Sequence, residues 1–367
     1  MLSFLLVIGP LIFVHELGHY LVGRWCGVKA ETFSIGFGRE IAGWSDKRGT
    51  RWKIGWLPLG GYVRFAGDMN PASMPSPEWL ALPAEERNQT FQAKKLWQRF
   101  LIVLAGPATN FLFAIIVFCG FLHFYGQPMT PPVVATVQPG SAAATAGIQP
   151  GDRILSIGGR DVRRFEDIAR VVALRPAERL EIELDRGGRT IGVAATPAVK
   201  VERDTFGNAA KKGLLGVGGG ASAVVPVPVA ELPGAAIAMT ADIVSMTVEG
   251  IVQIVTGRRS VDELGGPLKI AKFSGEQASL GVVYFVWFLA VISINLGFIN
   301  LLPVPLLDGG HLLFYTIEAV RRKPLGAKAQ EWAFRTGLAA LLFLMIFVTM
   351  NDLASFGLWS KLGGLIG

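Results

Sequence analysis

Four long runs of apolar residues constrain the fold of this chain more than any other feature. The runs at 100–122 and 281–307 each exceed the roughly 20 apolar residues that a membrane-spanning helix needs. The first run reaches that length only by continuing through a polar motif, and the last only by extending back to Trp332. A mean hydropathy of +0.44, with 51% apolar residues, also excludes an ordinary soluble enzyme. We therefore predict an α-helical polytopic membrane protein with four transmembrane helices, over residues 1–22, 100–122, 281–307 and 332–351.

Basic residues are concentrated in two of the loops between these runs. Lys and Arg are frequent in the loop at 23–99 and in the segment that joins the third run to the fourth. Cytoplasmic loops carry an excess of such residues, so we predict that both loops are cytoplasmic and that the amino terminus and the insert at 123–280 lie on the outer side. The net charge of +7 then reflects membrane topology, and we predict no nucleic-acid partner. The first and third spans run in the same direction, so their carboxyl ends meet near the cytoplasmic face.

Two histidines and a glutamate lie at the end of the first apolar run, in the segment HELGH. His15 and His19 are four residues apart, so on a helix they share one face, about 6 Å apart. Both imidazoles can then reach one tetrahedral Zn²⁺, while Glu16 is close enough to accept a proton from a metal-bound water. Ionisable groups inside a span are costly, which favours a functional site over a structural pair of hydrogen-bonded histidines. We predict one Zn²⁺ per chain.

A catalytic zinc site usually has three protein ligands and one position open to water. His123 follows the second span on the outer side, and the predicted topology excludes it. Asp308 and His311 both follow the third span. We predict Asp308 as the third ligand, because Pro303 and Pro305 break the helix before it and irregular backbone at membrane depth is expected only beside a cavity. His311 has no predicted ligand role.

The insert begins with a segment that reads as short strands separated by Pro-Gly and Gly-Gly turns, at residues 131–197. Its stretch AGIQPGDRILSIGGRDV resembles a PDZ domain. Such domains bind peptides by adding a strand to an exposed sheet edge, so we expect a peptide or a substrate tail as ligand; the alternative is a small structural β domain. Residues 203–280 are predicted to form a linker and then a helix at the membrane surface or against the bundle, since Asp242 and Glu249 interrupt its apolar face.

Taken together, these features resemble the site-2 protease family of intramembrane zinc metalloproteases, and most closely its bacterial regulator-of-sigma-E protease branch. The features are HELGH in a first span, NLLPVPLLDGGH at the end of a late span, and a PDZ-like domain between them. The resemblance implies that His15, His19 and Asp308 bind zinc and that Glu16 is the general base. The single recognisable PDZ copy departs from the two tandem copies of the best-known members, so a two-domain filter for substrates does not carry over.

The resemblance also implies a location and a substrate class. It implies a multi-pass protein of the bacterial inner membrane, embedded in the lipid bilayer, with the amino terminus and the PDZ-like domain on the periplasmic side and the zinc site near the cytoplasmic side. The implied substrates are single-span transmembrane proteins, such as anti-sigma factors or remnant signal peptides, which are cleaved in regulated intramembrane proteolysis.

The same resemblance assigns substrate handling to two further segments. One lies upstream of the LDG motif; the other is a hairpin at about 52–68, in the cytoplasmic loop, that looks like a membrane-re-entrant β-loop able to hold substrate as an added strand. The alternatives are a simple helix break and a packed cytoplasmic hairpin. The residues concerned are Asn295, Asn300, Pro303, Pro305, Gly60, Gly61 and Tyr62.

A third motif, AGPATNF at 105–111, also matches a family pattern in the second span. Its small residues Gly106 and Ala108 permit close approach of another helix, and Asn110 can hydrogen-bond across helices. We interpret this motif as packing support.

Two other functions remain open from the sequence. A non-catalytic membrane adaptor would use the PDZ-like domain for binding and keep the polar trio as a structural feature, so it need not hold one zinc per chain. A zinc transporter would need further polar ligands along several spans, whereas the apolar cores of the second and fourth spans contain no His, Asp or Glu.

Overall fold

The computed structural model describes residues 2–67, 83–162, 164–173, 175–203, 209–221, 223–256, 265–323 and 325–355. The chain divides into two compact units. The first comprises Met1–Cys119, Pro233–Val252 and Ser260–Gly367, and the second comprises Gly120–Leu232 and Gln253–Arg259. The first unit therefore contains the HELGH and LDG motifs, and the second contains the PDZ-like segment.

Helices dominate the first unit and strands the second. In chain order the elements are α1 (Leu2–Trp25), β1 (Ala30–Ser45), β2 (Arg51–Phe65), α2 (Ala84–Asn88), α3 (Leu96–Tyr125), β3 (Gln127–Met129), β4 (Val134–Val137), α4 (Ala142–Thr145), β5 (Arg153–Ile157), β6 (Arg160–Asp161), α5 (Phe165–Ala173), β7 (Leu180–Arg186), β8 (Arg189–Ala195), β9 (Ala198–Arg203), β10 (Ala209–Leu214), β11 (Val217–Gly219), β12 (Ala223–Val225), a 3₁₀ turn (Val229–Glu231), α6 (Leu232–Val255), α7 (Pro267–Leu280), α8 (Val282–Leu301), α9 (Asp308–Arg321) and α10 (Ala327–Ser355).

Within the described residues, five helices are long and apolar enough to cross a membrane. Four of them, α1, α3, α8 and α10, overlap the four predicted spans. The fifth candidate, Val229–Val252, overlaps α6, where the sequence predicts a helix at the membrane surface or against the bundle. The protein is thus a helical membrane protein with a β-rich region, as predicted. That four of its helices cross the membrane remains a prediction.

The relative directions of the helices follow from side-chain contacts that α3 makes on both sides. Thr109 donates to the Val14 carbonyl and His19 contacts the Ile102 carbonyl, so α1 and α3 are antiparallel. Ser293 of α8 donates to the Asn110 carbonyl, and the rings of Trp287 and Phe118 lie 5.0 Å apart, so α3 and α8 are also antiparallel. Consequently α1 and α8 run parallel, which is the arrangement that the loop charges predict.

The parallel directions of α1 and α8 bear on α6. The chain must leave α3 and enter α8 on the same side of any membrane that these helices cross, so the connection between them crosses an even number of times. The neighbouring helix α7 has 14 residues and rises about 21 Å, which is less than the roughly 30 Å hydrocarbon core. It therefore does not supply a return crossing for α6. A contact of 2.9 Å between Thr247 of α6 and Asn295 of α8 instead places α6 against the bundle.

The long strands β1 and β2 form a curled sheet rather than the hairpin predicted at 52–68. Residues 30–35 pair with 61–65 along one side and lie beside 51–54 along the other, while 42–45 pair with 51–54. The two halves of β2 therefore flank β1 and do not pair with each other. The difference arises because alternation of apolar and polar residues indicates a strand but does not show which strand segments pair with each other. Residues 61–65 form an outer edge of this sheet.

The second unit has a four-stranded antiparallel sheet in the order β6-β5-β7-β8. Alternate residues of β5 and β7 point into a common apolar core, and one face of α5 covers it. The buried residues include Ile154, Ile157, Ile168, Val172, Leu180, Ile182 and Leu184. The unit is therefore β-rich, as predicted, and its PDZ-like character stays a prediction.

The PDZ-like unit extends past residue 197 into the segment predicted to be a linker. Strand β10 pairs with β9, and β11 pairs with β4 near the start of the unit. Leu215 between them belongs to the same buried core. The prediction of a linker was wrong for 209–219, because a composition rich in Gly, Ala and Val is also compatible with short strands that pair over long sequence distances.

Candidate metal centre

Three side chains from α1 and the start of α9 converge within the first unit. His15 Nε2 lies 3.3 Å from His19 Nε2 and 3.1 Å from Asp308 Oδ2, and His19 Nε2 lies 3.6 Å from Asp308 Oδ1. One ligand atom from each residue lies within 4.8 Å of the others. A tetrahedral Zn²⁺ with bonds of 2.0–2.1 Å places its ligand atoms about 3.3 Å apart. The three residues therefore fit one zinc ion without rearrangement.

Backbone shape at the end of α8 brings Asp308 to the two imidazoles. The helix ends at Leu301, and Leu306 has a φ of 84°, a left-handed conformation that non-glycine residues rarely adopt. After Asp308 the chain returns closely past itself, since a Cβ at Gly309 or Gly310 would overlap the carbonyls of 302 and 304. Gly309 and Gly310 thus permit close approach of backbone segments.

Close packing of α3 against α1 fixes the positions of the two imidazoles. A Cβ at Gly18 would overlap the Ala105 carbonyl, and a Cβ at Gly106 would overlap the His19 ring. His19 Nδ1 lies 2.8 Å from the carbonyl oxygen of Ile102, which can only accept a hydrogen bond. Nδ1 therefore carries the proton, and the Nε2 lone pair of His19 points to the metal position.

Glu16 is buried beside the two histidines and faces the outer edge of the curled sheet. A Cβ at Gly61 would approach Glu16 Cγ to 3.1 Å and Ile12 Cγ2 to 2.6 Å, so strand 61–65 passes directly over this part of α1. Together they line a cavity of about 600 Å³. A carboxylate in this position can exchange protons with a water molecule held beside the three ligands.

The cavity collects several of the residues predicted to handle substrate. Gly60, Gly61, Tyr62 and Asn300 contribute to its described lining, together with His311. The His311 ring packs 5.4 Å from Phe334 and 6.4 Å from Tyr315.

The other residues predicted to handle substrate lie outside that lining. Asn295 contacts Thr247 of α6, and Pro305 packs against Gly337 of α10. Pro303 is not among the residues that line the cavity in the described part of the chain. His123, which the topology excluded as a ligand, is in the last turn of α3 and is exposed.

Two contributors to the centre were not predicted from the sequence. The Ile102 carbonyl orients His19, and the Asn110 amide lies 3.0 Å from His15 Nδ1. A signal for them does exist, because Gly106 and Asn110 are four residues apart, the same spacing as the two histidines on the antiparallel helix. That spacing alone does not show which faces of the two helices meet.

Comparisons with known proteins identify the family of this chain. A family model described as Peptidase family M50 matches residues 3–344. A protein named as a zinc metalloprotease in Agrobacterium fabrum (strain C58) is 45% identical over 357 residues, which cover 96% of this chain and 95% of that protein. A protein of the same description in Rhizobium meliloti (strain 1021) is 44% identical over 356 residues, with the same two coverages. Metalloprotease MmpA of Caulobacter vibrioides is 38% identical over 390 residues, covering 100% of this chain and 98% of that protein.

One solved structure, the PDZ domain of an SdrC-like protein from Listeria monocytogenes, matches 25% of this chain and 90% of its own length at 15% identity, with a TM-score of 0.19. The PDZ-like description of the second unit rests on its own sequence and strand order.

The chain belongs to peptidase family M50, the site-2 protease family of membrane metalloproteases. It is a zinc metalloprotease, and the predicted Zn²⁺ cofactor is confirmed. The adaptor and transporter alternatives are thereby set aside.

Proposed function

We propose that this protein hydrolyses peptide bonds within the transmembrane segments of single-span substrates, at a zinc site near the cytoplasmic side of the bacterial inner membrane. The observation that carries the proposal is the convergence of His15, His19 and Asp308 on a cavity that a β-strand edge also lines. Two of the ligands lie on α1, a helix apolar and long enough to span a membrane, so a substrate must enter from the surrounding lipid or be drawn in from its surface.

The proposed substrate must be extended before it is cut. A peptide bond inside a helix has its N–H and C=O groups engaged, so a protease needs an alternative set of partners for them. The edge formed by 61–65 supplies such partners beside Glu16, and Gly60, Gly61 and Tyr62 would form the part of that edge nearest the metal. Asn300 also lines this cavity and can donate a hydrogen bond to the oxyanion that forms at the scissile carbonyl.

Proton transfer is assigned to Glu16. When bound, Zn²⁺ supplies Lewis-acid chemistry that polarises the scissile carbonyl and makes a water molecule more acidic. Glu16 accepts the proton from that water as its oxygen attacks the carbonyl carbon. Glu16 then gives the proton to the amine nitrogen as the C–N bond breaks, so the carboxylate is restored at the end of the cycle.

The second unit is proposed to bind a peptide or the tail of a substrate. A groove of about 190 Å³ runs between α5 and the backbone of Leu214, Leu215 and Gly216. An extended peptide can lie along this groove, where apolar side chains of α5 contact its side chains. Membrane anti-sigma factors and remnant signal peptides are the proposed substrates, within regulated intramembrane proteolysis.

The decisive experiment compares Glu16→Gln with the wild-type protein in lipid vesicles that contain a model single-span substrate. Removal of a general base typically costs about 10²–10⁴ in rate, so we expect cleavage to fall at least a hundredfold while bound zinc stays at the wild-type level. Glu276→Gln is the matched control, because Glu276 is an exposed residue of α7 that contacts Lys272. The substrate segment should also be offered as a soluble peptide, since preferential cleavage of that form would contradict the proposed intramembrane substrate class. Cleavage by Glu16→Gln at the wild-type rate would remove Glu16 from the mechanism.

A further inference from the structure

We infer that Asn110 is a positioning residue for the metal centre: its side-chain oxygen holds the Nδ1 proton of His15, so that His15 Nε2 presents its lone pair to zinc. The inference rests on the proposed metal chemistry and adds a role that the packing interpretation of AGPATNF does not include. Asn110 is fully buried on α3, and its side-chain amide is 3.0 Å from His15 Nδ1.

The chemistry of the ligand requires an acceptor at this position. A neutral imidazole has one N–H and one lone pair, and zinc must take the lone pair. His15 Nε2 is the atom that faces His19 and Asp308, so the proton must be on Nδ1. A buried Nδ1–H needs an acceptor, and Asn110 supplies the side-chain amide that contacts Nδ1.

The Asn110 amide has an oxygen available for this hydrogen bond. In the structure the amide nitrogen of Asn110 faces His15 Nδ1. The side-chain oxygen of Asn110 is buried without a partner among the described residues. The nitrogen and oxygen of an amide are nearly identical in shape, so their assignment follows from the hydrogen bonds they must make. Exchanging the two atoms brings the oxygen to Nδ1, where it accepts the proton and leaves the Nε2 lone pair free.

The two histidines are thus oriented by the same helix in different ways. His19 is held by the Ile102 carbonyl, a main-chain group that no substitution removes. His15 is held by a side chain, so its orientation can be tested by mutation. The backbone of Asn110 also accepts a hydrogen bond from Ser293 of α8 at 2.9 Å, which offers a control for packing alone.

The experiment measures zinc affinity by competition with a chelator in the purified full-length protein, for wild type, Asn110→Leu, Asn110→Asp, Ser293→Ala and His15→Ala. Loss of a group that orients a metal-bound histidine typically weakens metal binding 10–100-fold, which is the loss expected for Asn110→Leu. Asn110→Asp keeps an acceptor and should bind zinc at least as tightly as wild type. Ser293→Ala should leave affinity within twofold, because it removes a packing hydrogen bond and not the acceptor.

Two outcomes would overturn the inference. One is an Asn110→Leu affinity within twofold of wild type; the other is an Asn110→Asp affinity as weak as that of the leucine variant. If wild type binds no zinc, or if His15→Ala binds it as well as wild type, the proposed metal site itself fails, which is a different result.

A measurement on the unaltered protein keeps the inference testable if a variant does not fold. The chain has four histidines, so nitrogen-15 spectra of histidine-labelled, zinc-loaded protein can be assigned by single substitutions. We expect Nδ1 of His15 to be protonated. An unprotonated Nδ1 in the loaded protein would exclude a side-chain acceptor role for Asn110.

Discussion

The PDZ-like unit contains a buried aspartate, Asp152, and the metal centre contains a partly buried one, Asp308; the two carboxylates are neutralised in opposite ways. Asp152 contacts Arg186 through both side-chain oxygens at 2.7 Å and accepts the backbone N–H of Gln149, so its charge is balanced by the chain itself. The oxygens of Asp308 instead face two imidazole nitrogens across a cavity. The first arrangement stabilises a fold, whereas the second needs a cation or protons to complete it.

A second buried aspartate, Asp352, follows the pattern of Asp152. Asp352 of α10 accepts the backbone N–H groups of Gly266, Leu268 and Lys269, and the Lys269 ammonium lies 3.8 Å away. It therefore caps the amino terminus of α7 and joins that helix to α10. Burial of a carboxylate alone does not distinguish a structural group from a functional one; the identity of its partners does.

The largest expected effect comes from Asp308→Ala, which removes one of the three proposed metal ligands. We expect loss of bound zinc and a fall in cleavage of about 10³-fold or more, with a folded membrane bundle, because among the described residues no backbone group relies on this carboxylate in the way that α7 relies on Asp352. Metal analysis and circular dichroism of the purified protein test this. Asp152→Ala is the control and should keep its zinc. A wild-type zinc content in Asp308→Ala would contradict the comparison.

The next largest effect is expected in the other region. Asp152→Ala removes the carboxylate partner of Arg186, which keeps only the Gly147 carbonyl among its described acceptors. It also leaves the Gln149 N–H without its acceptor, and the two losses should reduce the local stability of the PDZ-like unit by about 2 kcal/mol. Amide hydrogen exchange of β5 and β7 in the full-length protein measures this loss. Zinc content should be unchanged, and slower or unaltered exchange would show that Asp152 is not a structural group.

A smaller effect is expected when the strand edge at the cavity is displaced. Gly61→Val introduces side-chain atoms against Ile12 and the Ser34 carbonyl, so the edge must shift relative to Glu16. We expect cleavage to fall about tenfold, equivalent to about 1.4 kcal/mol, with zinc retained. Gly192→Val in β8 is the matched control, since a Cβ there meets no atom within 4 Å. Equal cleavage by the two variants would count against a role for this edge.

The smallest effect is the pH dependence of the PDZ-like unit. Hydrogen bonding to Arg186 holds the pKa of Asp152 below its ordinary value. A depressed pKa in the folded state means that the stabilisation is fully present above the ordinary value and is lost as the pH falls through the folded value. The protection of β5 amides, measured relative to their intrinsic exchange rate at each pH, should therefore fall on acidification, and Asp152→Asn should remove this dependence. An identical dependence in both proteins would assign the effect to another group.

The convergence of His15, His19 and Asp308 was predictable because two local signals and one topological argument agree. The spacing of His15 and His19 places both on one helical face, and the prolines before Asp308 mark a broken helix. The loop charges then require two parallel helices whose ends meet. Each step depends either on residues close together in the sequence or on the number of predicted membrane crossings, and both can be obtained from the sequence.

Other features could not be predicted because they depend on which surfaces meet. Residues 30–35 lie beside two separate parts of β2, and the alternation of apolar and polar residues does not specify such pairing. The core position of Leu215 required β11 to pair with β4, far earlier in the chain. The proximity of Asn110 to His15 depends on the rotation of α3 about its own axis, which several patterns of small residues allow.

The separation of the ligands along the chain has a consequence for biosynthesis. The two imidazoles leave the ribosome with the first helix, but the carboxylate follows only after α8 has been made. Until then a nascent chain holds an incomplete ligand set beside its neighbours in the translocation machinery. With the proposed ligand set, the order of synthesis therefore delays proteolytic competence until most of the polypeptide has been made.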